Sequence, residues 1–362
     1  MAALSLTAAA CGSSGDESDQ AAPTSAAEAS DTSAPNRDEA PAATDTTAAS
    51  AATPSTAAPT TTVAPGPCEG GGAGSGALAS TLTSGSLEYA YDLFVPSSYD
   101  HTPIPLVMEF HGLGSSGPGQ SGFSGYSALA IKEGFAVVSP TGLPGEGDDR
   151  NSWELAQLDV AGRDDVQMAS DLIDEIAAQL CIDESRVYAT GLSNGGYFSA
   201  LLACELSDRI AATFSVAAIS HPDGCEPTRP VAMGAIHGTA DEVVPFAGGG
   251  SVLLTDDLDP EVRATFEEFF DQVMPDEAAE FAADFACATV VEESIGVETM
   301  LTRYTDCEGG VEVRFYAVEG GGHTWPGSSL AEAFASSLGY PTEDIDATAD
   351  GWAFMSQYSL PD

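Results

Sequence analysis

The sequence places Ser193 in A-T-G-L-S-N-G-G-Y (189–197), with Gly191 and Gly195 two positions to either side. A serine hydroxyl is a weak nucleophile until a base takes its proton, and that base needs an acid to hold its tautomer and stabilise its charge. Glycine and serine are both frequent in this chain, so the pentapeptide gains weight only from its context. That context is a strand-like run, R-V-Y-A-T (186–190), on one side and a helical run, Y-F-S-A-L-L-A-C (197–204), on the other. A tight strand-to-helix turn exposes such a serine, and the flanking glycines remove clashes that a Cβ would create.

This turn resembles that of the α/β-hydrolases, and the resemblance implies that the acid and then the histidine follow the serine in chain order. The chain has five histidines, and His101 and His111 precede Ser193. His323, in V-E-G-G-G-H-T-W-P-G, comes just after the expected strand V-E-V-R-F-Y-A-V and is the candidate base. Asp241, in A-I-H-G-T-A-D-E-V-V-P-F, is the candidate acid. His221 and His237 compete as bases, but both precede Asp241 and read better as histidines making local hydrogen bonds. Acyl transfer also develops negative charge on the former carbonyl oxygen, which requires preorganised N–H donors. Asn194, directly after the serine, supplies one, and the glycine-rich F-H-G-L-G-S-S-G (110–117) offers the second at Leu113. Two tryptophans are candidates for a substrate pocket: Trp153 reads better as a structural anchor, and Trp325 equally as an anchor or as the wall of an acyl or aromatic pocket. No close Cys-x-x-Cys or Cys/His cluster suggests a metal site, and the chemistry requires neither metal nor cofactor.

The elements that must position these residues follow from periodicity. Strands are expected at 87–96, 105–110, 135–140, 186–190, 211–218, 230–236 and 311–318, each followed by turn-rich sequence. A helix is expected over 164–180, where Val166, Ala169, Leu172, Ile173 and Ile176 share one face. The alternation predicts a mostly parallel central sheet with helices on both faces. Residues 251–286 interrupt it with eleven acids and only Arg263 as a base; Val262, Phe266, Phe269, Phe270 and Val273 mark the apolar stripe of an acidic helix there. It reads as a packed surface insertion, with a lid as the alternative.

The 362 residues carry a formal net charge of −46, with Lys132 as the single lysine. Residues 12–67 contribute −7 of this, so the acidity belongs to the folded part. Such a surface repels nucleic acid and anionic membranes; it fits adaptation to high salt or a generally acidic secreted protein. No run of 18 apolar residues occurs. The start, M-A-A-L-S-L-T-A-A-A-C, resembles the end of a bacterial lipoprotein signal peptide, so residues 1–11 are expected to be a signal remnant with lipidation at Cys11. Residues 12–67, rich in Ala, Thr, Ser and Pro, lack the apolar surface to offset their ordering entropy and are expected to be a disordered tether. Residues 68–362 then form the catalytic domain. Its six cysteines imply disulfides in an oxidising compartment, expected as Cys204 with Cys225, Cys287 with Cys307 and Cys68 with Cys181.

In combination, H-G-L-G-S-S-G, V-Y-A-T-G-L-S-N-G-G, H-G-T-A-D-E-V-V-P-F and G-G-G-H-T-W-P-G resemble the polyhydroxybutyrate depolymerase and feruloyl esterase group of α/β-hydrolases. The likeness runs over about residues 80–360 and includes D-I-D-A-T-A-D-G-W-A-F. It implies the α/β-hydrolase fold and a secreted or cell-surface serine esterase with Ser193, Asp241 and His323 as triad. The substrate would be a small or oligomeric carboxylic ester, of feruloyl, acyl-carbohydrate or hydroxyalkanoate type, and the only membrane association a lipid anchor at Cys11. The chain differs from the group in its acidic insertion, in Met355 where a second aromatic is usual, and in carrying no appended substrate-binding domain, which argues against crystalline polyester as substrate. A serine peptidase on the same fold and a non-catalytic binding lipoprotein are the alternatives.

Overall fold

The computed structural model describes residues 74–361 except 146–148, 156–161, 257 and 259, and leaves the side chains of 261 and 262 undescribed. The signal-like start with Cys11, the expected tether and Cys68 lie outside the described residues. Among the described residues, twelve strands and eight α-helices follow one another along the chain. The strands are β1 (Gly76–Ser84), β2 (Leu87–Val95), β3 (Ile104–Phe110), β4 (Ala136–Pro140), β5 (Leu143–Pro144), β6 (Asn151–Ser152), β7 (Ile182–Leu192), β8 (Ala212–Val216), β9 (Ala232–Gly238), β10 (Thr289–Ile295), β11 (Thr299–Thr305) and β12 (Val313–Val318). The helices are α1 (Gly117–Ser124), α2 (Tyr126–Glu133), α3 (Asp165–Gln179), α4 (Asn194–Glu205), α5 (Pro260–Phe270), α6 (Met274–Asp284), α7 (Ala331–Leu338) and α8 (Ala347–Met355).

Ten strands form one sheet in the order β1-β2-β4-β3-β7-β8-β9-β12-β11-β10. The six from β4 to β12 pair in parallel, and the two outer strands on each side pair antiparallel. The central strands are apolar on both faces because helices cover both, and β3, β4, β8 and β9 are buried at every position. Adjacent side chains on β3 show the two layers: Phe110 meets Phe198 of α4 edge-on at 4.8 Å, whereas Glu109 accepts the Ser124 hydroxyl of α1 at 2.5 Å. This is the mostly parallel sheet with helices on both faces expected of an α/β-hydrolase.

The acidic insertion differs from its expected form. It holds two helices, α5 and α6, and Val273 is the extended residue before α6 rather than part of a continuous stripe. Phe269, Phe270, Met274, Ala278, Phe281 and Phe285 are buried, so the segment is packed into the molecule. Cys204–Cys225 and Cys287–Cys307 are bonded as expected. Cys181 is also disulfide-bonded, while Cys68, its expected partner, is outside the described residues. No described helix is long and apolar enough to cross a membrane.

Candidate active site

The loops after β3, β7, β9 and β12 leave the C-terminal ends of four of the parallel strands. Parallel strands present these ends along one edge, where open α/β sheets gather their ligands. Each loop carries one part of the constellation expected from the sequence.

After β7 the chain turns at Ser193 into α4. Ser193 adopts φ 57° and ψ −122°, a left-sided conformation that costs a non-glycine residue on the order of 1–3 kcal/mol. Its N–H donates to Val216 O at 2.8 Å, and its carbonyl accepts the Tyr197 N–H at 3.0 Å, so the turn is held from both sides. The glycines at 191 and 195 are required by contact. A Cβ on Gly195 would lie 2.1 Å from Phe110 O, and one on Gly191 would lie 2.3 Å from Gly195 O. Backbone cannot yield at such distances, so the glycine spacing noticed in the sequence is the spacing of two unavoidable close approaches.

The β9 and β12 loops bring the acid and the base together. Gly238, at the end of β9, presses on the 320–322 loop so closely that a Cβ would fall 2.2 Å from Gly321 O. Ala240 N–H donates to Gly321 O at 2.9 Å, and Thr239 N–H to Val318 O at 2.8 Å, which stitches the two loops. Asp241 and His323 then meet, each only 5% exposed, with His323 Nδ1 2.7 Å from Asp241 Oδ2. A carboxylate oxygen accepts, so His323 Nδ1–H is the donor of this bond. Asp241 Oδ1 accepts the Val243 and Val244 N–H groups at 2.9 and 2.8 Å, which fixes the carboxylate plane.

The competing histidines are placed as local hydrogen-bonding residues. His237 is buried; its Nε2 is 2.8 Å from Val244 O, to which it donates, and 3.3 Å from Asp241 Oδ2. His221 bonds Asp284 of α6 at 2.8 Å through Nε2. The loop after β3 lies against the serine: a Cβ on Gly112 would stand 3.4 Å from Ser193 Cβ and 4.0 Å from Oγ. The Leu113 and Asn194 N–H groups have no partner among the described residues. Both tryptophans are buried and hydrogen-bonded through their indole N–H groups. Trp325 is fully buried and donates Nε1–H to Thr348 Oγ1 at 2.9 Å. Trp153 is 2% exposed and stacks on Phe198. Among the described residues no group of three or more His, Cys, Asp or Glu is placed to hold a metal ion.

Sequence reasoning passed over His111, which precedes Ser193 and therefore cannot be the base in chain order. Its Nδ1–H donates to Gly112 O at 2.8 Å and its Nε2 accepts the Gly142 N–H at 2.9 Å, which defines a neutral ring. Burial pushes this imidazole down to about 4, against the pull of the Gly112 carbonyl. His237 is also pushed down to about 4 by burial, against the pull of Asp241. In the unfolded chain a histidine protonates near pH 6.5, so between there and about pH 4 the unfolded state holds more protons than the folded one. Each ring therefore adds stability at neutral pH that is lost as pH falls through that window, on the order of 3 kcal/mol apiece. Burial raises Glu277 to about 7, so its contribution has the opposite sign: present below pH 4.5 and lost as pH rises through 7. We expect the urea midpoint to fall between pH 6.5 and 4, and more steeply in Glu277→Gln; a flat midpoint across that range in both proteins would contradict the buried neutral rings.

Residues 89–225, from β2 through the Ser193 turn and α4 to Cys225, match the family model described as Esterase PHB depolymerase. Similar proteins include feruloyl esterase B of Piromyces equi, 28% identical over 263 residues covering 71% of this chain and 42% of that protein. The bifunctional acetylxylan esterase/xylanase XynS20E of Neocallimastix patriciarum is 25% identical over 256 residues, 71% of this chain and 31% of that protein. The chain thus spans less than half the length of these two relatives. A protein of Nocardia uniformis subsp. tsuyamanensis named as an esterase, NocK, is 31% identical over 236 residues, 62% of this chain and 67% of that protein. With that match over two thirds of a relative, and the family match across the Ser193 turn, the chain belongs to the Esterase PHB depolymerase family.

Proposed function

We propose that the protein is a serine esterase that hydrolyses carboxylic esters by two-step acyl transfer. The observation that carries the reading is the buried 2.7 Å pair of Asp241 and His323, on the sheet edge that also bears the strained Ser193 turn. His323 Nε2 takes the Ser193 hydroxyl proton as Oγ adds to the ester carbonyl. Asp241 stabilises the imidazolium, and the Leu113 and Asn194 N–H groups receive the oxyanion. Collapse expels the alcohol, which takes its proton from His323. Water, deprotonated by His323, then cleaves the acyl-enzyme and releases the acid.

The names of the relatives support feruloyl or acetyl esters of carbohydrate as the substrate class, and a chain of net charge −46 favours neutral over anionic polymers. Hydroxyalkanoate oligomers belong to the same screen. The disulfides fit an oxidising compartment, and with the signal-like start they support an exported protein held at the cell surface through Cys11 and the 12–67 tether. The test is fluorophosphonate labelling combined with p-nitrophenyl ester turnover. Labelling should map to Ser193 and abolish turnover in proportion; turnover without labelling, or labelling at another serine, overturns the assignment.

A further inference from the structure

A segment that carries no member of the triad ties the two oxyanion-donor loops to each other. Trp153 follows β6, and the Asn194 side chain grips its backbone from two sides: Oδ1 accepts the Trp153 N–H at 2.7 Å and Nδ2 donates to Trp153 O at 3.2 Å. The Trp153 indole Nε1–H donates to His111 O at 2.9 Å. Two residues earlier, Asn151 O accepts the Gly114 N–H at 2.7 Å and Asn151 Nδ2 donates to Ser115 O at 2.9 Å. Thus the backbone on both sides of Leu113 and the side chain of Asn194 are bonded to one three-residue stretch.

That stretch is itself anchored. The Arg163 and Asp165 side chains are 3% and 0% exposed and pair at 2.5 Å. Arg163 donates to Leu143 O at 2.8 Å and to Ser152 O, on the two strands of the β5–β6 hairpin. Asp165 Oδ2 accepts the Glu154 N–H at 2.7 Å, and Oδ1 accepts the Tyr89 hydroxyl of β2 at 2.9 Å. The indole plane lies 13° from that of Phe198 on α4 at 5.3 Å and meets Phe110 of β3 edge-on at 5.2 Å.

We infer that Trp153 and the Asn194 side chain form a positioning bridge that sets the separation of the Leu113 and Asn194 N–H donors, with the buried Arg163–Asp165 pair as its foundation. The inference rests on the acyl-transfer reading above. Oxyanion donors act only when within about 2.7–3.1 Å of the oxygen as it becomes charged. A bridge that fixes their spacing therefore contributes to the transition state and leaves ester binding unchanged.

The experiment compares wild type, Trp153→Phe and Asn194→Ala. Trp153→Phe deletes the indole N–H and keeps an aromatic ring against Phe198; Asn194→Ala deletes the two bonds to Trp153 and keeps the backbone donor. Each is assayed on p-nitrophenyl acetate and titrated with a trifluoromethyl ketone, to whose carbonyl Ser193 Oγ adds to form a tetrahedral oxyanion. We expect kcat to fall about 10-fold in Trp153→Phe and about 100-fold in Asn194→Ala, with KM unchanged and ketone affinity falling in parallel with kcat/KM. Unchanged kcat in both variants, or a fall in kcat with ketone affinity retained, overturns the bridge. A wild type inert to both probes overturns the acyl-transfer reading and the bridge with it, whereas an active wild type with indifferent variants overturns the bridge alone.

Discussion

Replacing Ser193 by alanine is expected to lower turnover of an activated ester by about 10⁵- to 10⁶-fold, with the thermal midpoint and circular dichroism of the wild type retained. The substitution removes one oxygen from a turn whose backbone is held by Val216 O and the Tyr197 N–H, and those bonds involve no side-chain atom. Alanine keeps the Cβ, so the strain at φ 57° is inherited unchanged. Ser193→Gly separates that strain from the chemistry. Glycine adopts positive φ freely, so this variant should be equally inactive yet more stable than Ser193→Ala by about 1 kcal/mol, after allowance for glycine's larger entropy loss. Ester turnover within 10-fold of wild type in either variant would remove Ser193 from the reaction.

The parts of this site that sequence revealed are those whose chemistry leaves a local mark. Gly191 and Gly195 flank Ser193 because two backbone oxygens leave no room for a Cβ, and that contact writes a pattern five residues long. The central strands were legible because burial on both faces makes them continuously apolar, as in P-L-V-M-E-F and F-A-V-V-S-P. The edges were not. β1 is exposed at most positions, and β10, T-V-V-E-E-S-I, faces solvent throughout its middle, so neither carries a burial period to detect. The acidic insertion read as one helix because the 3.6-residue stripe of α5 runs on into Val273, although Pro275 in the first turn of α6 marks the start of a second helix. The bridge at Trp153 was invisible for another reason. Its partners, His111, Asn151, Arg163 and Asn194, are spread over more than eighty positions, and each bond is to backbone, which imposes no recognisable residue pattern.

Asp241→Asn is expected to lower kcat by about 10⁴-fold while leaving the fold in place, and the surrounding donors explain why no rotation of the amide can rescue it. In the native site Oδ1 accepts two backbone N–H groups, from Val243 and Val244, and Oδ2 accepts the proton of His323 Nδ1. An asparagine must keep its single oxygen toward the two backbone donors, because an NH₂ group there would face two N–H groups at 2.8–2.9 Å. Its NH₂ then points at His323 Nδ1, which has to become an acceptor. The imidazole proton moves to Nε2, the atom that should take the serine proton, and the base is lost by tautomer rather than by displacement. The same NH₂ also confronts His237 Nε2–H at 3.3 Å, so a modest loss of stability should accompany the loss of rate. Fluorophosphonate labelling should slow in step with esterase turnover, since both need the Ser193 proton removed. Turnover within 10-fold of wild type would mean that the carboxylate at 241 supports the loop and has no part in setting the state of His323.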